Sequence, residues 1–295
     1  MTVAVYLPLL VCVVLAVSSR AVAKALPPRA GLWTLTAAAV IAAAGTVWTC
    51  LLLGSLLVDD IPAFDAAERL VPVHDAVSLV GVAILGVGAV RSFLALRRLV
   101  QARRRLRRLG ALPGGELLVV ADARPDAFAV PGSRTGGGRV VVTQGMLRAL
   151  DAGQRRALIA HERAHLRARH SVALALAELA AAMNPLLVPV RRSIGFLCER
   201  DADEDAVVVA GSRRLVAQAL AAAALARSAS AAASSLAPGF HQLSVAERVS
   251  ALLTPEPVTH RRLLWAVGAM TLLAAGAAFD ATRDFASILV MLVAR

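Results

Sequence analysis

Two histidines four residues apart, with a glutamate directly behind the first, stand at His161-Glu162-Arg163-Ala164-His165. Four residues advance an α-helix by about 400°, so both imidazoles leave nearly the same face and can close on a single ion. Glu162 points about 100° away, near enough to reach a water on that ion without being a ligand. Two histidines leave a catalytic zinc one protein ligand short. Downstream, Cys198-Glu199-Arg200-Asp201-Ala202-Asp203 offers two carboxylates, Glu199 and Asp203, again four apart and therefore on one helical face. A carboxylate from this second helix can complete a site of two histidines and one acid. A neighbouring carboxylate can accept the N–H of a ligating histidine, fixing its tautomer and raising its basicity. The competing reading is a solvated acidic helix, and it is the one taken for Glu204 and Asp205.

The elements that must position these residues begin with a helix start. Asp151 and Gln154 have capping-box spacing, so a helix is expected through Ala157–Arg169. On that helix His170 would sit about 140° around from His165, which assigns it a solvated or structural role. Upstream, Glu116–Ala121 reads as a strand after the turn Pro113-Gly114-Gly115, and Arg139–Thr143 as a second, entered through Gly136-Gly137-Gly138. The glycine cluster has no following Gly-Lys-Ser/Thr, which argues against a phosphate-cradling loop. Arg139–Thr143 is a candidate to hold an extended peptide by edge-strand pairing.

Around this region the chain is too apolar for an ordinary soluble protein, with 58% hydrophobic residues. A bilayer core of about 30 Å needs roughly 20 apolar residues per helix. Val3–Val17, Leu32–Val58 and Ala76–Leu96 approach or meet that length, and Leu263–Phe279 supplies a fourth candidate. The first lacks the basic n-region of a signal peptide and is read as a span. Basic residues fill the first connection (Arg20, Lys24, Arg29) and follow the third span (Arg97, Arg98, Arg103, Arg104, Arg105, Arg107, Arg108). Acidic ones dominate the second connection: Asp59, Asp60, Asp65, Glu68 and Asp75. By the positive-inside rule both termini lie outside, and residues 97–262 face the cytosol. The net charge of +12 is thereby a topology signal, and no direct nucleic-acid partner is expected. Arg91, near the cytoplasmic end of its span, is expected to snorkel.

Ser171–Val190 is also apolar, yet it cannot cross: a crossing would put Glu199 on the far side of the bilayer from His161. Glu178, Asn184 and Pro185 also make a lipid-facing helix costly. A buried or re-entrant hairpin over about 171–197, turning near Asn184-Pro185, is predicted instead. The domain reading is a three-helix transmembrane region at 1–100, a cytosolic catalytic domain at 101–262, and a fourth helix with a short outer tail at 263–295. The three cysteines, Cys12, Cys50 and Cys198, have neither disulfide nor metal-ligand spacing.

The run HERAHLRARH, a hydrophobic stretch with Asn184-Pro185, and then ERDAD resembles the BlaR/MecR-type membrane metallopeptidases. It is also similar to HtpX-type proteases and the CAAX prenyl proteases. Ala127-Phe128-Ala129-Val130-Pro131-Gly132 and Val140-Val141-Val142-Thr143-Gln144-Gly145-Met146-Leu147 look like the same clan. The resemblance implies a mainly α membrane protein with a small α+β zincin-like catalytic domain, three spans before it and one after. It implies one Zn2+ per chain held by His161, His165 and Glu199, with Glu162 as base and Asp203 as supporting carboxylate. His241 and Arg248, in a stretch that resembles a segment of HtpX-type chains, are candidates for contacts with substrate or transition state. The span order favours the BlaR/MecR arrangement, hence regulatory cleavage of a protein substrate such as a winged-helix repressor. HtpX-like quality control of membrane proteins is the alternative, and a scaffold with a structural metal is a further one. Unlike in the BlaR/MecR arrangement, no penicillin-binding sensor domain is expected after the last span, and a signal is expected through a separate sensor subunit or through the spans themselves.

Overall fold

The computed structural model describes residues 7–55, 75–110, 115–132, 137–232, 239–254 and 261–293. The chain forms two compact units. One comprises Met1–Arg98, Leu174–Ile194 and Thr259–Arg295; the other comprises Leu99–Ala173 and Gly195–Val258.

The first unit is helical. Helix α1 (Leu7–Ala25) passes into α2 (Pro28–Ser55) at Pro27-Pro28. A proline disfavours helix in the residue before it and suits the first helical position, so this pair ends one helix and opens the next. The buried face of α2 carries Ala38, Ala39, Ala42 and Ala43, small enough for close approach of a neighbouring helix. At Gly45 a β-carbon would lie 2.9 Å from Cβ of Pro8 on α1. Helix α3 spans Asp75–Gly110. Three helices, Leu7–Ala25, Pro28–Ser55 and the Ala76–Arg108 part of α3, are long and apolar enough to cross a membrane. Helix α10 (Arg261–Val293) runs on without a break where a separate tail was expected, and its described apolar stretch, Arg262–Leu273, is shorter than a span. It packs on α1 and α2, with Trp48 Nε1 donating to Thr282 Oγ1 at 2.8 Å.

The chain turns at Asn184-Pro185. Helix α6 (His170–Met183) ends there, a single 3-10 turn covers Pro185–Leu187, and α7 (Val188–Ala210) leads away. Asn184 caps this turn by accepting from Leu186 N, while proline at the next position has no N–H to leave unpaired. The sequence reading kept the whole hairpin with the catalytic region; its tip, Leu174–Ile194, instead packs with α1–α3. Polar groups on each of those helices reach it. Ser193 Oγ lies 3.2 Å from Ser19 Oγ on α1, and Asn184 Nδ2 donates to Thr46 Oγ1 on α2 at 3.0 Å. Arg91 on α3 donates to the carbonyls of Ala182 (3.0 Å) and Ala181 (3.4 Å). Arg91 is thus a cap for the last turn of α6, not the snorkelling residue expected. Glu178 is paired with Arg191 across the hairpin at 2.7 Å. Replacing Thr46 by Val should remove the Asn184 contact at a cost of about 0.6 kcal/mol, and at most about 1.7, typical of interhelical hydrogen bonds in membranes. Thermal unfolding in detergent measures this; a variant as stable as wild type would show that the contact contributes nothing.

The second unit holds a three-stranded sheet of order β1-β3-β2, formed by β1 (Leu117–Val120), β2 (Ala127–Val130) and β3 (Arg139–Thr143). β1 runs parallel to β3 and β2 antiparallel to it. β3 is therefore the central strand, with Val140, Val141 and Val142 all buried. Both its edges are occupied, so the expectation that Arg139–Thr143 pairs with a peptide is overturned. Thr143 closes β3 and opens α4 (Gln144–Ala149): its hydroxyl accepts from Met146 N and donates to Arg124 O at 2.7 Å. Helix α5 (Ala152–Arg167) begins with both capping-box bonds, Asp151 to Gln154 N and Gln154 back to Asp151 N. Its inner face shares one core with Val140, Val142, Met146, Leu150 and Ala223. It shares another with Ala206, Val216 and Leu252, which brings in α7, α8 (Arg213–Ala232) and α9 (Gly239–Leu253).

Candidate metal centre

Helix α5, anchored by its capping box and packed on the sheet, presents His161 and His165 one turn apart. Their Nε2 atoms are 3.2 Å from each other. Glu199 on α7 places one carboxylate oxygen 3.6 Å from His161 Nε2 and the other 3.6 Å from His165 Nε2. These three ligand atoms lie within 4.8 Å of one another. Bonds of roughly 2.0–2.2 Å in tetrahedral geometry separate adjacent ligand atoms by about 3.4 Å, close to the 3.2 Å between the imidazoles and the 3.6 Å from each imidazole to its nearer Glu199 oxygen. Tautomers agree with this fit. Nδ1 of His161 faces Asp203 Oδ1 at 3.0 Å, and Nδ1 of His165 faces His170 Nδ1 at 2.9 Å. Protons held at the Nδ1 atoms leave both Nε2 lone pairs converging on one point, an arrangement that calls for a cation. Two imidazole nitrogens and a carboxylate oxygen suit zinc.

Glu162, next to His161, is 8% exposed and is not part of the ligand set. Burial pushes its carboxyl up to about 7, with the charges of Glu199 and Asp126 adding to the rise and those of His161 and Arg227 opposing it. Arg248 on α9 closes the rear of the site. Its Nε and Nη2 grip both oxygens of Asp203 at 2.7 and 2.6 Å, and its Nη1 reaches Glu199 Oε2 at 2.7 Å. All three guanidinium nitrogens are thus committed to acids on α7, and the side chain is 7% exposed. This Arg248 faces the ligand-bearing helix rather than presenting a free donor to a substrate. His241 lies on α9, but its side chain is outside the described residues, as are His74 and His260. Glu204 pairs with Arg213 at 2.7 Å and Asp205 with Arg167 at 3.2 Å, away from the ligands.

His170, read from the sequence as solvated or structural, belongs to the cluster together with Asp201. His170 is buried between His165 and Asp201, its Nε2 3.0 Å from Asp201 Oδ2. Helical extrapolation misplaced it because α5 ends at Arg167 and Arg169 takes φ +54°, turning the chain back on itself. The fifth position after His165 in HERAHLRARH, a second histidine spacing, was the available signal.

The electrostatics of the metal-free site set its response to pH. Burial works against a charge on His161, but its hydrogen bonds to Asp203 and Glu199, and their charges, outweigh it and lift the imidazole to about 9. His165 moves the other way, to about 4, through burial and the charge of His161. Glu199 and Asp203 are held below the carboxylate range: burial opposes this, while contact with His161 and Arg248 prevails. Near neutral pH the metal-free site therefore carries one extra proton, on His161. Its stabilising contribution is fully present below about 6.5 and lost as pH rises through about 9. Zinc must displace that proton. Uptake at pH 7 should release about one proton per ion, and affinity should strengthen with pH up to about 9. Calorimetry in buffers of different ionisation enthalpy measures the release; no buffer dependence would contradict it.

Two histidines on one helix and a glutamate on a second, grouped so that they could hold a metal ion, with buried Glu162 outside that group, have the chemistry of a zinc-dependent peptidase site. The comparison with protein families agrees: residues 96–266, more than half of the 295-residue chain, match peptidase family M48. The chain belongs to peptidase family M48 and is a metallopeptidase of that zinc-dependent family. No curated protein and no solved structure matches it significantly.

Proposed function

We propose that the protein is a membrane-embedded zinc endopeptidase, one Zn2+ per chain, that hydrolyses peptide bonds on the cytoplasmic side. The single observation that carries this is the convergence of His161 Nε2, His165 Nε2 and a Glu199 oxygen, with Glu162 adjacent and uncommitted. When bound, zinc supplies a Lewis acid that makes a water nucleophilic near neutral pH and polarises the scissile carbonyl. His161, His165 and Glu199 hold the ion, and Asp203 holds His161 in the tautomer that keeps Nε2 free. Glu162, raised to about 7, accepts the proton of the attacking water and returns it to the departing amine. Arg248 positions Glu199 and Asp203.

The substrate pairs, in extended form, with β2 in place of the central β3. Thr143 N donates to Asp126 O, so alternation turns the polar groups of Phe128 and Val130 toward β3 and those of Ala127 and Ala129 away. Ala127 N is taken by Asp126 Oδ1, leaving Ala129 to offer both donor and acceptor along the outer edge.

Regulatory cleavage of a cytosolic repressor is the reading that the helix order supports: among the described residues, three helices long and apolar enough to cross a membrane precede the site and α10 follows it. Comparing the proteomes of cells making wild type and Glu162→Gln tests it. One lost cleavage product, a repressor, supports this reading, whereas many lost products from membrane proteins support quality control. Cysteine labelling from either side of the membrane tests the orientation, and external labelling of residues in 115–132 would overturn it.

A further inference from the structure

The two histidine ligands are supported unequally. His161 Nδ1 meets a carboxylate directly, at Asp203. His165 Nδ1 meets an imidazole instead, His170 Nδ1 at 2.9 Å, and the carboxylate of Asp201 stands one step further back, 3.0 Å from His170 Nε2. His170 is 1% and Asp201 5% exposed, so water does not substitute for either contact. The backbone is bent to make this arrangement: Arg169, which has a β-carbon, adopts φ +54° in the left-handed region that such residues disfavour, and the step returns His170 onto His165. Helix α7 contributes to both supports. Glu199 and Asp203 share one face, and Asp201, about 200° around from Glu199, reaches His170 from the other.

We propose that His170 and Asp201 form a positioning relay for the metal ligand His165. With His165 Nε2 among the ligand atoms, its proton sits on Nδ1 and is donated to Nδ1 of His170. His170 then carries its own proton on Nε2 and donates it to Asp201. Each short contact receives one proton with both imidazoles neutral. The relay locks the tautomer and ring plane of His165 and passes part of a carboxylate's polarisation to it, as a direct carboxylate does for His161. Neither His170 nor Asp201 touches substrate, so both are positioning residues. The inference rests on the metal-site reading above.

The test uses the full chain in detergent, with Zn2+ affinity measured by competition against a chromogenic chelator and unfolding of the metal-free protein followed in parallel. His170→Phe, which removes both contacts, should weaken Zn2+ binding by about 10–100-fold. His170→Asn places an amide oxygen where it can accept from His165 Nδ1 and should recover most of that loss. Asp201→Asn should weaken binding measurably in a protein that still folds, while the remote Glu204→Gln should leave it at the wild-type value. A merely structural role predicts a different pattern: lower unfolding temperatures, unchanged affinity in the folded fraction, and Asn no better than Phe. That pattern, or wild-type affinity in Asp201→Asn, overturns the relay while leaving the metal site intact. Wild-type protein that binds no Zn2+ overturns the metal-site reading and the relay with it.

Discussion

Glu162→Gln is expected to reduce hydrolysis of a loosely folded reporter protein, such as fluorescein-labelled casein, by about 10²–10⁴-fold or more while zinc stays stoichiometrically bound. The argument is geometric before it is electrostatic. Glu162 follows the ligand His161 on the same helix, so it sits at the metal cluster whatever the bound substrate does. It is outside the ligand set, and glutamine has nearly its shape, so the coordination of His161, His165 and Glu199 should survive. Glutamine cannot take a proton, so only the transfer step is lost. A carboxyl raised to about 7 is close to the value at which a base is both available and able to give its proton back. Zinc analysis and turnover of the same sample make the separation. Undiminished turnover would remove Glu162 as base and leave the metal in a structural role; loss of zinc would mean that the carboxylate is a ligand after all.

The pairing of His161 with His165 on one face, and of Glu199 with Asp203 on another, was legible because it depends on one number, the helical repeat. Residues spaced by four on α5 and α7 must share a face, and no tertiary fact intervenes between the letters HExxH and the convergence of two imidazoles. The capping box at Asp151 and Gln154 was legible for the same reason: it is local. What escaped the sequence depends on contacts made elsewhere. His170 was extrapolated along a helix that in fact ends before it, and nothing in Ala168-Arg169 marks a left-handed step, since neither residue is glycine. Strand β3 looked like an edge because its residues do not disclose that β1 lies parallel on one side and β2 antiparallel on the other. Arg91 looked like a snorkelling residue because the carbonyls it caps belong to a hairpin ninety positions downstream. Arg248 was singled out, but a lone arginine does not announce whether it faces a substrate or two carboxylates.

That last distinction yields the second large effect. Arg248→Met is expected to destabilise the metal-free catalytic unit by about 3–5 kcal/mol at neutral pH, the usual consequence of removing one partner from a buried ion pair. Asp203, with a side chain 4% exposed, would keep its charge and lose both guanidinium contacts, while Glu199, 38% exposed, has water to fall back on and contributes less. The deficit should shrink in acid. Arg248 holds Asp203 below its usual range, so the stability it confers is present above about pH 4 and is lost as pH falls through the depressed value. Arg248→Lys keeps the charge but not the fork that spans both oxygens of Asp203, and should fall between wild type and Met. Denaturant unfolding of the metal-free protein at pH 7 and well below pH 4 measures all three. If Arg248 instead served the transition state, both variants would unfold like wild type and lose kcat alone. The observed pairing argues otherwise, because all three guanidinium nitrogens already bind Asp203 and Glu199 on α7 and the side chain is buried, which fixes Arg248 on that helix.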